Sequence, residues 1–253
     1  MKKFISFLTA LFIISGMLHT ASAITPSLLF SERFSDYSET KKVPYTIKTK
    51  GKDDHNHIVI KDNQPSALLE IVSDGNGQPG ISFNLGKKSK KVILNIKVNI
   101  SELSSDIMLC LTDYTTGVNS RLISFTTGYT VKAVDGSILT EAGKFEPNQW
   151  QDISMILDTE KNNYELYING TKSGENFRLP SKNNENKKVT WLKNIRAVTI
   201  DTFNMTGKKT AFDFERMIAY EADGILSDSQ LSELAKPKGE DNSDEIVIPN
   251  VDV

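Results

Sequence analysis

Apolar and polar residues alternate with a period of two through most of this chain, the repeat of a strand with one buried face. The stretch from Val92 to Ile100 is the clearest: Val92, Leu94, Ile96, Val98 and Ile100 fall on one side, and Asn95, Lys97 and Asn99 on the other. Ile153, Met155 and Leu157 share a side in the same way, as do Tyr164, Leu166 and Ile168. The same reading predicts strands over 28–34, 45–49, 57–61, 67–72, 80–85, 107–113, 121–127, 196–203 and 211–220. Turn chemistry separates them. The polar run 158–163 joins two alternating stretches as a hairpin, and Asn169-Gly170 is a primed-turn dipeptide at the end of the second. Asp74 to Gly77, Thr116-Gly117 and Asp135-Gly136 mark further turns, and 181–188 reads as a solvated loop.

Many short strands with one-sided alternation predict an all-β fold: two antiparallel sheets packed as a β-sandwich, a jelly roll. No amphipathic helical stretch lies between strands, which argues against a parallel βαβ sheet, and no repeat marks a β-helix. One short helix is predicted near the end, over 227–235. Ser227 is its N-cap, Asp228 sits in its first turn, and Leu226, Leu231, Leu234 and Ala235 form an apolar side before Pro237 stops it.

The ends divide the chain further. Met1-Lys2-Lys3, an apolar stretch from Phe4 to Leu18 and Ala21-Ser22-Ala23 form the pattern of a secretory signal peptide over 1–23. The stretch is shorter than the ~20 residues of a membrane span, and no later run reaches that length, so no membrane span is expected in the mature chain. The sandwich domain is then 24–235, followed by an acidic flexible tail over 236–253. Residues 245–251 alternate again, so addition of the tail as a strand to a sheet edge is a second reading. The expected location is exported: periplasmic, cell-surface or secreted. Loss of the leader, with two lysines and no acid, takes the formal charge from −2 to −4, which is no footprint for nucleic acid. The single cysteine, Cys110, sits among apolar residues and reads as a small buried hydrophobe, not a disulfide partner.

Three separate patches resemble one family. Asn148 to Asp158 carries a Trp150-led apolar alternation that turns into Tyr164-Glu165-Leu166-Tyr167-Ile168-Asn169-Gly170. Phe214 to Tyr220 is followed by Leu226-Ser227-Asp228-Ser229-Gln230-Leu231, ending at Leu234, and Leu29 to Phe34 opens the domain. In order and spacing these are similar to the first strand, central hairpin and closing strand-plus-helix of laminin-G-like modules in the concanavalin A-like lectin and glucanase superfamily. The resemblance implies a jelly roll with Trp150 and Tyr164 in or beside the inter-sheet core. It also implies sugar-binding modules, adhesion domains, hydrolases or lyases as the functional range, and fold does not choose among them. Jelly rolls of this kind often clip their terminal strands with a structural calcium ion, for which Glu32 or Asp36 and Asp213 are the candidate oxygen donors.

The chemistry in the sequence leans away from an enzyme. Glycoside hydrolysis uses two carboxylates facing one sugar ring. Asp213 and Glu215, two apart on one predicted strand, are the best pair by spacing, with Asp152 and Asp158 next; a solvated outer strand face accounts for both. His55 and His57 with Asp53 form the one concentrated set of transition-metal donors, in a polar stretch that reads as a loop. Sugar recognition draws on aromatics beside amides, arginine and acids. The run 113–121 offers these in Tyr114, Asn119 and Arg121, with Tyr129 and Trp191 as further aromatics. Asn99, Asn169 and Asn204 open glycosylation-type triplets. The expected function is an exported, non-catalytic carbohydrate-binding or adhesion module whose partner is a glycan or polysaccharide. The alternatives are a polysaccharide-cleaving enzyme and an envelope protein-interaction scaffold with no sugar ligand.

Overall fold

The computed structural model describes residues 27–33, 47–48, 57–63, 66–73, 80–103, 106–113, 119–182, 186–188, 195–202 and 210–221. The signal peptide, the 227–235 helix and the acidic tail expected from the sequence lie outside these residues, and no helix occurs among them.

Sixteen strands form two antiparallel sheets among the described residues. The first sheet contains β1 (Ser27–Arg33), β3 (His57–Asn63), β4 (Ser66–Ser73), β6 (Lys91–Glu102), β11 (Trp150–Asp158), β12 (Asn163–Ile168), β13 (Thr171–Lys172), β14 (Phe177–Arg178) and β16 (Thr210–Glu221). Its order is β13-β12-β11-β6-β16-β4-β3, with β14 also on β12. Strand β1 pairs with the second half of β16, past the part that pairs with β4. The second sheet contains β2 (Ile47–Lys48), β5 (Gly80–Ser89), β7 (Ile107–Asp113), β8 (Asn119–Thr126), β9 (Thr130–Asp135), β10 (Ile138–Lys144) and β15 (Ile195–Thr202). Its order is β10-β9-β8-β7-β15-β5-β2. The chain is thus a two-sheet antiparallel β-sandwich.

The core lies between the sheets, where the alternating residues meet. Val92, Leu94, Ile96, Val98 and Ile100 of β6 pack there with Ile153, Met155 and Leu157 of β11, as the alternation predicts. From the other sheet come Ile107, Leu109 and Leu111, with Phe125, Val198 and Ile200. Tyr164 is fully buried, and its hydroxyl crosses to the opposite sheet, 2.8 Å from Val134 O and 3.1 Å from Leu122 O. Cys110 is a fully buried thiol, but its β7 neighbours Leu109 and Leu111 face the core, so Cys110 lies on the outer side.

The polar turns do what their residues dictate. Asp158 Oδ1 accepts the backbone N–H groups of Glu160 and Lys161, closing the β11–β12 hairpin. Asn169 and Gly170 both have positive φ, 50° and 77°, the type I′ geometry that suits strand twist. Asn169 Oδ1 also accepts the Asp152 N–H, and its Nδ2 donates to Gln151 Oε1, both at 2.8 Å. Gly170→Ala forces a Cβ into the left-handed region and is expected to cost about 1 kcal/mol, read by urea denaturation.

Strands β9, β10, β13 and β14 are additions to the sequence reading. Edge strand β10 is exposed over Ile138 to Glu141 and has no inward stripe to betray it. A register shift between Glu141 and Gly143 breaks its regular edge, a device that discourages edge-to-edge pairing. The neighbouring Asp135-Gly136 turn is tied to the other sheet. Asp135 accepts from Arg178 N, Nε and Nη2 at 2.9, 2.8 and 3.2 Å. The Arg178 side-chain bond first, then its backbone N–H, hold the Asp135 carboxyl below the usual range. A depressed carboxyl adds stability above its unfolded value, about 3.9, and loses it as pH falls through the folded value. Arg178→Met is therefore expected to remove part of the acid limb below about pH 4 while leaving the neutral plateau little changed, since exposed pairs contribute little. Melting temperatures across pH 2–7 check this.

Candidate functional site

Each sheet has an outer face, and the polar chemistry is divided between them. On the seven-stranded sheet, Asn119 pairs with Thr112 and Arg121 with Cys110 across the β7–β8 ladder. Asn119 and Arg121 are two apart on one strand, so they share the outer face. Asn119 Oδ1 accepts the Thr112 hydroxyl at 2.6 Å, which orients its amide at the rim. Arg121 is half-buried one step further along, beside a register shift between Leu109 and Cys110. The structure brings these two residues together; Tyr114, the third of the set, lies outside the described residues, as does Trp191. Tyr129 is 45% exposed at the tip of the β8–β9 turn with φ 56°, and its ring meets Phe145 edge-on at 5.7 Å.

On the nine-stranded sheet the outer face holds a denser constellation, which spacing alone does not reveal. Its centre is Arg216, with only 5% of its side chain exposed. Arg216 Nη2 lies 2.6 Å from Asp152 Oδ1, Nε donates to Asn95 Oδ1 at 3.1 Å, and Nη1 lies 3.5 Å from Glu215 Oε1. Asn95 Nδ2 donates onward to Ser154 Oγ at 2.8 Å. Lys97 Nζ is 2.6 Å from Glu215 Oε2 and stands 5.7 Å from the centre of the Trp150 ring. A β-bulge assembles this cluster. The β16–β6 register shifts between Phe214 and Arg216, so Glu215 and Arg216 both face Lys97. Without it, strict alternation would send Arg216 into the core behind Phe212 and Phe214. Burial outweighs the Arg216 and Lys97 charges and pushes the Asp152 carboxyl above the usual range.

Two expectations change here. Trp150 is not in the inter-sheet core; it is half-buried on the outer face under Lys97, while Tyr164 alone takes the core position. Asp213 and Glu215 lie on β16 as the spacing predicts, but Glu215 is bound to Lys97 and Arg216. A sequence signal for this site did exist: the apolar positions of β16 run Phe212, Phe214, then Met217, Ala219, a change of parity that marks a bulge.

Among the described residues no group of three or more histidine, cysteine, aspartate or glutamate side chains is placed to hold an ion. Glu32 pairs in register with Met217, and Asp213 with Glu70. They are four positions apart along β16, about 13 Å at the strand rise. Asp36, Asp53 and His55 lie outside the described residues, and of His57 only the backbone, at the start of β3, is described. No helix among the described residues is long and apolar enough to cross a membrane.

No protein-family model matches the chain, and no curated protein matches it. Solved structures do match in fold. A sialidase aligns at TM-score 0.60 and 11% identity over 79% of this chain, which spans only 19% of the sialidase. A cellulose induced protein aligns at TM-score 0.55 and 12% identity, covering 78% of this chain and all, 100%, of that one. Domain 4 of AbnA, an extracellular arabinanase from Geobacillus stearothermophilus solved with arabinotriose, aligns at TM-score 0.52 and 16% identity. That match covers 84% of this chain and 100% of the domain. The class defined by the fold is a two-sheet antiparallel β-sandwich, shared with these structures. At these identities the likeness is one of fold.

Proposed function

We propose that the chain is an exported, non-catalytic carbohydrate-binding or adhesion module of laminin-G-like, jelly-roll type, with Tyr114, Asn119 and Arg121 as ligand contacts. One observation carries the reading: Asn119 and Arg121 stand side by side on one outer face, an oriented amide next to a guanidinium. Such groups match the paired donors and acceptors of a sugar ring. The similar sandwiches include a domain solved with arabinotriose, which supports a saccharide as the ligand class. The ion-pairing of Glu215 favours binding over hydrolysis, because a hydrolase needs its second carboxylate turned to the sugar.

The test is binding of the full secreted chain to a broad panel of immobilised glycans and polysaccharides. Arg121→Ala is expected to weaken the tightest interaction about tenfold or more, the cost of truncating a central contact. Unchanged affinity in a folded Arg121→Ala protein would overturn the site, and no binding across the panel would overturn the function.

A further inference from the structure

The geometry points to a second saccharide-contact surface, on the outer face of the nine-stranded sheet around Trp150, selective for neutral sugars. This rests on the reading that the module binds glycans, but it concerns the opposite side of the sandwich from Asn119 and Arg121.

Three features carry it. The first is an aromatic face next to ordered polar groups. Trp150 opens β11 half-buried on the outer face, and Lys97 Nζ stands 5.7 Å from its ring centre. The part of the indole that Lys97 leaves exposed takes the C–H side of a pyranose or furanose, while the ammonium over the ring and the nearby carboxylates take the hydroxyls. The second is partial exposure. Arg216 is sunk in the sheet face, but Lys97 and Glu215 keep 21% and 26% of their side chains exposed, and Asp152 keeps 15%. Arg216 thus anchors the acids from below, and their outer edges remain open to a ligand.

The third is a buried acceptor that the protein leaves unused. Asn99 pairs with Trp150 on one side and Asp213 on the other, and it is on the face of Lys97. Among the described residues its buried Oδ1 has no hydrogen-bond partner. An unpaired buried acceptor is destabilising. A ligand hydroxyl donating to it next to the Trp150 ring removes that penalty.

The selectivity follows from charge. Arg216 and Lys97 are already matched by Asp152 and Glu215, at 2.6 Å in each case. Among the described residues around Trp150 both cations are thus engaged, and the acids beside them repel a sugar carboxylate. Neutral hydroxyls meet both donors and acceptors.

The experiment compares the full chain with Trp150→Ala and Asn99→Leu against neutral and acidic oligosaccharides, with thermal unfolding of each protein alongside. Both variants are expected to lose about tenfold or more in affinity for neutral saccharides. Asn99→Leu is at the same time expected to melt no lower than the parent, because it removes an unpaired buried acceptor. That pairing of weaker binding with undiminished stability is what a merely structural role would not produce. Should Trp150→Ala fail to fold, Asn99→Leu decides alone. If the parent binds glycans but both folded variants bind neutral ones equally well, or if it binds only acidic glycans, this surface is overturned while the binding function stands. If the parent binds no glycan, both fall.

Discussion

Replacing Tyr164 by alanine is expected to cost about 3–5 kcal/mol of unfolding free energy, the range for deleting a large buried aromatic. Tyr164 sits in β12 with no exposed surface, stacked at a tilt on Phe177 with ring centres 5.4 Å apart. Its hydroxyl reaches backbone carbonyls of β8 and β9, so one side chain fills the core and ties the sheets together. Tyr164→Phe separates the two roles. It keeps the ring and removes the donor, and is expected to cost about 1–2 kcal/mol. Guanidinium denaturation of the two variants measures both, and a Phe variant as stable as the parent would show that the tie contributes nothing. Burial also pushes the phenol far above its ordinary value. Only the unfolded chain then ionises this tyrosine as pH rises past about 10, so stability is present below that value and falls above it.

The second large effect belongs to Arg216. Arg216→Met leaves the Asp152 carboxylate, the Asn95 carbonyl oxygen and one contact of Glu215 without their cation in a largely buried setting. The expected loss is about 3–5 kcal/mol, the penalty for an abandoned buried charge rather than the net value of the pair. Two further measurements identify the cause. In Arg216→Met the Asp152 carboxyl, already raised by burial, is expected to titrate higher still, as followed by carbon-detected NMR. A carboxyl raised in the folded state lowers stability as pH climbs from its unfolded value, about 3.9, through the folded one. The variant is therefore expected to be weakest near neutral pH and to recover part of its deficit as pH falls through that window. The double variant Arg216→Met with Asp152→Leu removes both charges and is expected to regain most of the loss; if it does not, the deficit comes from packing around the bulge.

These two residues also show where legibility in the sequence ends. Tyr164 was readable as a core residue because Leu166 and Ile168 repeat its phase, and period-two repetition maps directly onto one sheet face. Arg216 was not, because the bulge beside it breaks that mapping, and only pairing with β6 shows which face it takes. Trp150 marks a different limit. The resemblance put it in or beside the inter-sheet core, but its parity with Asp152 and Ser154 puts it on the outer face. Strand β10 was missed because an exposed edge has no buried stripe, and β9 because it is short and leads into it. The Asn119 and Arg121 pair was legible as candidate chemistry, and the register then put both on one face beside Thr112 and Cys110.

From its sequence alone this protein is an all-β chain with antiparallel one-faced strands, hairpins at Asp158–Asn163 and Asn169-Gly170, and no obvious catalytic spacing. These are local properties: alternation, turn dihedrals and the types of residue present act within a few positions. The tertiary structure decided which strands neighbour one another and where the register slips. It gathered Lys97, Asp152, Glu215 and Arg216 from three strands into one charge-matched network beside Trp150. That assembly depends on contacts between residues up to 121 positions apart, such as Arg216 with Asn95. No local pattern encodes such distances, because they are set by which strands pair within the sheet and in what register.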